Sequence, residues 1–187
     1  MGRPEEQVVV VGVGQIGTVL AAGLRANVHE VIEVHRDELD RLSGLGSARA
    51  AILAVPEDAL ETVVAKLPRA LSDRVVLVQN DLVPSTWRDL KLTSPTVAVV
   101  WFEKKGDRPP KPLLPTVIAG PHAPLVEAAL SARRLPAEVV PFGPDLDAAL
   151  MDKNTYILVS NLSGIAASRV GSTGVVGVSF PTGVVTM

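Results

Sequence analysis

Residues 8–17 read VVVVGVGQIG, and this stretch decides the fold. The four valines predict a short strand buried on both faces, and Gln15 to Ala26 has the apolar spacing of a helix. The turn between them carries Gly12, Gly14 and Gly17 in the spacing G-x-G-x-x-G. In a strand–turn–helix unit the first glycine permits the tight turn, the second lets a pyrophosphate approach the backbone, and the third lets the helix pack closely on the strand. We therefore predict that this turn binds a dinucleotide, with its phosphates at the helix N-terminus.

Short apolar runs alternate with helical patterns along the rest of the chain up to Val140. This alternation is typical of βαβ units, so the predicted fold class is α/β, a doubly wound and mostly parallel sheet with helices on both faces. The further predicted strands cover residues 31–34, 51–55, 75–78, 96–102, 116–119 and 137–140. Helices are predicted over 57–67 and 122–134, a brief helical turn over 37–42, a loop through 84–87, and an exposed loop or hairpin connection over 103–115.

The amino-acid composition argues against several classes of protein. Of the 187 residues, 47% are apolar and 20% are charged, which is ordinary globular usage and argues against a disordered chain. Eighteen basic and twenty acidic residues give a net charge of -2, so nucleic acid is not an expected partner. The sequence has no cysteine for disulfides or thiolate metal sites, and its three histidines lack the spacing of metal ligands, so no metal is predicted.

Neither end of the sequence resembles a membrane segment. The first seven residues are polar and lead into only four valines, so no signal peptide or membrane anchor is expected and a cytoplasmic location is predicted. The segment after Arg169 is uncharged and has the length of a membrane span. Its glycines and Pro181 argue against a spanning helix.

A turn at residues 143–145, Gly-Pro-Asp, marks a predicted domain boundary. It divides the sequence into a dinucleotide-binding domain over 1–143 and the start of a helical substrate or dimerisation domain over 144–187. With one full domain expected from the length, the second is predicted to be incomplete.

The second part opens with a long apolar helix. Asp145 is the predicted N-cap, and apolar residues recur at helical spacing from Leu146 to Ala167. They surround most of the circumference, whereas a lone surface helix has a polar face. We therefore expect either a homodimer formed through residues 145–169 or the packing of a truncated second domain.

The end of the second predicted strand bears on the choice of nucleotide. An NAD site usually has a carboxylate there for the ribose 2′-hydroxyl, but Arg36 follows this strand. A guanidinium can pair with a 2′-phosphate through two charge-assisted hydrogen bonds, so NADPH is the favoured cofactor. Two alternatives stay open: Arg36 faces solvent, or Glu33 or Asp37 binds the ribose.

Other candidates follow the carboxyl ends of predicted strands, where open α/β sheets bind ligands. Val55 and Pro56 follow one strand, and Asn80 follows the next with an amide that suits a nicotinamide, a ribose or a substrate carbonyl. Asn80 could instead only form a turn with Asp81. The predicted cofactor-binding residues are Gly12, Gly14, Gln15, Ile16, Gly17, Arg36, Val55, Pro56 and Asn80.

Lys153 is the most informative charged residue, because it lies inside the apolar helix. Burying an ammonium is costly unless it has partners or a function. A desolvated lysine has a lowered pKa and can donate a proton to a carbonyl oxygen. The alternative is that Lys153 extends to the surface or pairs with Asp152 or Asp145.

These residues together resemble the ketopantoate reductase family, within the 6-phosphogluconate-dehydrogenase-like Rossmann superfamily. The resemblance rests on the glycine turn, Arg36, LVQND at 77–81, and Lys153 with Asn161 on the long helix. It implies a Rossmann-type fold and an NADPH-dependent reduction of a 2-keto acid to a 2-hydroxy acid. It further implies that Lys153 is the proton donor, that Asn80 helps to hold substrate and nicotinamide, and that Asn161 contacts the substrate.

The sequence departs from the family at two motif positions, since Asp81 replaces a glycine and Ile157 an asparagine. Together with the incomplete second domain, these differences keep one other hypothesis open, and Ala54-Val55-Pro56 is compatible with a second. One is a noncatalytic nucleotide-binding protein that acts as a sensor or scaffold. The other is a different reductase of the same superfamily, such as a prephenate or pyrroline-carboxylate enzyme.

Overall fold

The computed structural model describes residues 7–79 and 82–169, with the side chains of the last helix described as far as Leu162. It divides the chain into two compact units, one ending at Asn154 and one beginning at Thr155. Asn80, Asp81 and the uncharged segment after Arg169 lie outside the described residues. The predicted domain boundary between residues 143 and 144 stays a prediction.

A seven-stranded sheet forms the centre of the first unit, and this confirms the predicted α/β, Rossmann-like fold class. Its strands are β1 (Gln7–Val11), β2 (Glu30–Val34), β3 (Ala50–Leu53), β4 (Val75–Leu77), β5 (Thr96–Val99), β8 (Thr116–Ala119) and β9 (Ala137–Val139). A separate two-stranded hairpin is formed by β6 (Phe102–Glu103) and β7 (Lys111–Pro112). In the sheet the order is β2-β1-β3-β4-β5-β8-β9, and only the β5–β8 pair is antiparallel.

The central strands β1, β3, β4 and β5 are buried on both faces, as expected for parallel strands that read as continuous apolar runs. Val8 and Val10 of β1 belong to a core cluster with Leu20 and Leu24 of helix α1 (Gln15–Ala26). Residues of helix α4 (Ala123–Ser131) complete this cluster. The alternate residues of β1 point to the opposite face, which is covered by a 3₁₀ helix (Arg36–Gly44) and helix α2 (Glu57–Lys66).

The strand order places a topological switch point between β1 and β3. The chain passes from β1 outward to β2 and then returns to the other side of β1 to form β3. Connections therefore leave the carboxyl ends of β1 and β3 in opposite directions and open a crevice between them. In doubly wound sheets this crevice is the ligand-binding position.

Two predicted elements differ in the structure. The loop predicted through 84–87 is a short helix, α3 (Pro84–Asp89), which begins with proline at a position where no N–H is needed. The strand predicted over 96–102 ends at Val99, because the Trp101 N–H donates to the Thr116 hydroxyl (3.2 Å) instead of continuing the ladder. The chain then enters the β6–β7 hairpin, which is one of the two forms expected for residues 103–115.

Helix α5 (Pro144–Arg169) begins one residue before the predicted N-cap, so Asp145 lies in its first turn instead. Proline suits the first position because it is preset for a helix and lacks the N–H that would be left unpaired. Leu146, Leu150 and Lys153 are buried at helical spacing and so form one inward stripe. No helix within the described ranges is long and apolar enough to cross a membrane.

Candidate functional site

The glycine turn after β1 is held tightly against its neighbours. Gly12 has φ +86°, and its N–H donates to Val34 O (3.0 Å). A Cβ at Gly12 would lie 2.5 Å from Ala54 O, and one at Gly17 would lie 2.0 Å from Gly12 O. Only glycine fits at either position, because these neighbours are backbone atoms directly after β3 and β1, which cannot move aside as a flexible side chain could.

Gly14 differs from the other two glycines. A Cβ built on it would meet no atom of the described residues within 4 Å. Its carbonyl accepts hydrogen bonds from both the backbone N–H (2.9 Å) and the hydroxyl (2.7 Å) of Thr18, so the first turn of α1 is fixed. The space beside Gly14, at the N-terminus of a twelve-residue helix, fits an approaching pyrophosphate.

The first cavity opens at the switch point and has a volume of about 410 Å³. Gly12 and Gly14 line it on the β1 side, and Val55 and Pro56 on the β3 side. Arg36, which follows β2 in the chain, lines it too. This is where a doubly wound sheet holds the adenosine half of a dinucleotide.

Arg36 is carried into this cavity by the start of the 3₁₀ helix. The Glu38 carboxylate accepts from the His35 N–H (3.1 Å) and from the Arg41 guanidinium (2.7 Å), which fixes that turn. The same two hydrogen bonds, the His35 N–H first, lower the pKa of Glu38. Glu33, one of the alternative ribose ligands, forms an ion pair with Arg25 (2.8 Å).

The second cavity, of about 460 Å³, continues from the first along the edge of the sheet. It shares Gly14, Val55 and Pro56 with the first cavity and adds Gln15 and Ile16 of α1 together with Gln79 after β4. The two cavities therefore form one cleft across the carboxyl ends of β1, β3 and β4.

Gln79 fixes the floor of this cleft, a role that sequence reasoning missed. Its buried side-chain amide donates to Leu53 O (2.6 Å) and to Val55 O (3.1 Å) and accepts from the Val78 N–H (3.1 Å). These bonds tie the end of β4 to the segment after β3. The sequence feature that could have indicated this role is a polar residue directly after the apolar run 75–78.

The third cavity, of about 230 Å³, shares Gln15 and Ile16 with the second. Its other walls are Val100 and Phe102 after β5, the hairpin residues 103–105, and Lys153 of α5. The glycine turn, Gln15 and Lys153 thus lie along one cleft within the first compact unit.

Lys153 is buried, with 8% of its surface exposed. Its ammonium donates to Val100 O (2.8 Å) and lies 4.6 Å from the centroid of the Trp101 ring. Burial lowers the pKa of Lys153 below the usual range of a lysine, because desolvation disfavours the charged form. The structure therefore agrees with a buried Lys153 and not with a lysine that extends to the surface.

Two further candidates are not placed at the cleft. Asn80 lies outside the described residues. Asn161 belongs to the second compact unit, where its side chain is exposed. Within residues 7–79 and 82–162, no group of three histidine or carboxylate side chains could hold a metal ion.

No protein-family model matches this chain, and no curated protein sequence matches it. Solved structures do match it in fold. The reductive aminase from Aspergillus terreus, solved with NADPH4, cyclohexanone and allyl amine, has a TM-score of 0.56 at 18% identity over 88% of this chain and 63% of its own. A putative prephenate dehydrogenase from Corynebacterium glutamicum has a TM-score of 0.53 at 16% identity, over 89% and 64%. The dimeric ketopantoate reductase from Staphylococcus aureus has a TM-score of 0.50 at 17% identity, over 76% and 57%.

These similarities show the fold. The described chain shares a Rossmann-type architecture with reductases and dehydrogenases, at an identity that does not assign it to one family. It spans less than two thirds of the length of each of the three structures.

Proposed function

We propose that this chain is an NADPH-dependent oxidoreductase of ketopantoate-reductase type that reduces a 2-keto acid or a related carbonyl compound to the alcohol. One observation carries the proposal: a buried lysine lies in the same cleft as the glycine turn. An ammonium is costly to bury, so its retention beside a nucleotide-shaped cleft favours a chemical role.

Each part of NADPH would lie in a different section of the cleft. Arg36 would bind the 2′-phosphate at the far end of the first cavity, and the N-terminus of α1 beside Gly14 would bind the pyrophosphate. The nicotinamide end would then lie in the second cavity, near Gln15 and Ile16. When bound, a reduced nicotinamide supplies a hydride to the carbonyl carbon.

Lys153 would supply the proton. Its ammonium is held by Val100 O and the Trp101 ring at the wall of the third cavity, so a carbonyl oxygen bound there receives a proton from a fixed position. The lowered pKa of Lys153 brings this acid closer to neutral pH and makes the transfer easier. Asn80 would hold the substrate or nicotinamide, and Asn161 would contact the substrate.

The test is the steady-state oxidation of NADPH by the purified chain over a panel of 2-keto acids, followed by the loss of NADPH absorbance. Lys153→Ala should lower kcat by about a hundredfold or more, as expected for loss of a general acid. Lys66→Ala is the matched control, because Lys66 forms an exposed ion pair with Asp40 and lines none of the three cavities. Both variants should still bind NADPH.

Two results would contradict the proposal. Undiminished turnover by a folded Lys153→Ala variant would remove the proposed proton donor. Tight NADPH binding without turnover on any member of the panel would instead support the noncatalytic nucleotide-binding protein.

A further inference from the structure

We propose that the β6–β7 hairpin supplies an anion-binding subsite, in which Lys104 and Lys105 bind the carboxylate of the substrate while its carbonyl faces Lys153. The inference rests on the proposed function for the identity of the anion. The basic subsite itself follows from the third cavity.

The wall of the third cavity is strongly basic. It includes three lysines, Lys104, Lys105 and Lys153, and one carboxylate, Glu103, so three positive charges face one negative charge. Its volume of about 230 Å³ is small, so one compact molecule would contact several of these groups at once. An anion is the ligand that such a surface attracts.

The hairpin is a fixed part of the fold. Phe102 is buried in the main core cluster, and Glu103 pairs with Lys111 across the hairpin. At its base, Trp101 O accepts from the Leu113 N–H (2.8 Å). Lys104 and Lys105 therefore project from an anchored part of the chain. They follow Val100 by four and five residues, and the carbonyl of Val100 accepts the hydrogen bond from Lys153.

The present contacts of the two hairpin lysines leave capacity for a ligand. The Lys104 ammonium donates to Gly106 O within the turn, and the Lys105 ammonium lies 3.5 Å from the Glu103 carboxylate. The second pair is exposed, with 74% and 41% of the two side chains accessible, and such pairs contribute little. Because an ammonium has three donors, one contact does not exhaust either lysine.

The chemistry of a 2-keto acid matches this arrangement. Its carboxylate is bonded to the carbonyl carbon, so an acid that donates to the carbonyl oxygen and cations that bind the carboxylate must share one small space. The third cavity brings Lys153 and the hairpin lysines into such a space. Gln15 and Ile16 line it too, so a cofactor phosphate is the competing source of the anion.

The experiment is calorimetric titration of oxamate, which carries a carboxylate next to an unreactive amide carbonyl, into the chain saturated with NADP⁺. A double variant, Lys104→Gln with Lys105→Gln, should weaken oxamate binding by about tenfold or more and reduce its salt dependence. NADP⁺ affinity should change by less than about twofold, since neither lysine lines the first or the second cavity, where NADP⁺ is proposed to bind. Lys111→Gln is the matched control, because Lys111 lies on the same hairpin outside the cavity wall.

The outcomes separate the subsite from the proposed function. The subsite would be overturned by unchanged oxamate affinity in the double variant, by a parallel loss of NADP⁺ affinity, or by a wild-type chain that binds NADP⁺ but no oxamate. Lysine-dependent oxamate binding by a chain that binds no NADP⁺ would support the subsite and remove the proposed function. Unchanged thermal unfolding of the double variant is the check that it folds.

Discussion

The Lys153 ammonium lies over the face of the Trp101 ring, 4.6 Å from its centroid. Trp101 is itself 6% exposed, so the charge is withdrawn from water and stabilised by the π-face and by Val100 O. This arrangement places a cation on the inward stripe of α5, in line with Leu146 and Leu150. We therefore expect the buried ammonium to affect both the free energy of unfolding and the rate of catalysis.

The first prediction concerns the pH dependence of stability. The pKa of Lys153 is lowered in the folded chain, so the unfolded chain, with a lysine pKa of about 10.4, binds this proton more tightly. The contribution of Lys153 to the free energy of unfolding therefore rises with pH between the folded and unfolded pKa values. Relative to wild type, Lys153→Met should be most stable near neutral pH and should lose that advantage as the pH approaches about 10.4.

Urea unfolding of both proteins at several pH values measures this difference. A difference that does not change with pH would show that burial leaves the pKa of Lys153 unchanged. The high-pH limb of kcat/KM in the wild-type chain should likewise fall below about 10.4.

The second prediction separates two glycines of the turn. Gly17→Ala should lower the free energy of unfolding by about 1–3 kcal/mol or more, since its Cβ would lie 2.0 Å from Gly12 O. Gly14→Ala should fold normally, because its Cβ meets no described atom within 4 Å, yet it should weaken NADPH binding by about tenfold or more. Thermal unfolding and fluorescence titration with NADPH measure the two effects. Unaltered NADPH affinity in Gly14→Ala would show that the phosphates lie elsewhere.

The third prediction concerns the floor of the cleft. Gln79→Leu would leave Leu53 O, Val55 O and the Val78 N–H without their side-chain partner and should cost about 2–4 kcal/mol of stability. It should also weaken NADPH binding, because Val55 lines two of the cavities. The control is Gln7→Leu, which removes an exposed hydrogen bond to Glu30 and should have little effect. Equal stability of the two variants in urea would argue against the role of Gln79.

Local sequence pattern was sufficient for the parts of the fold that depend on neighbours in the chain. The valine run and the glycine spacing predicted β1, the turn and the start of α1. This was possible because ten consecutive residues, 8–17, determine both the buried strand and the geometry of the turn. The break after Val99 was not predictable, because it depends on Thr116, fifteen residues from Trp101.

The environment of Lys153 likewise could not be decided from the sequence. Its hydrogen-bond partner lies 53 residues away, so helical periodicity alone left buried and surface positions equally open. The hairpin lysines were expected in a solvated segment for a similar reason. Their place beside a cavity depends on how Phe102 packs in the core, which charge and proline content do not reveal.

The central claim is that the cleft binds NADPH, with Arg36 at its phosphate end. Thermal unfolding of the wild-type chain with each nucleotide tests it most directly, since a ligand in hundredfold excess over its Kd stabilises the folded state by about 2.7 kcal/mol. We expect NADPH to raise Tm more than NADH does, and Arg36→Ala to remove the difference, while Arg69→Ala, at an exposed arginine that lines neither of the first two cavities, retains it. A wild-type chain whose Tm shifts with neither nucleotide would contradict the account.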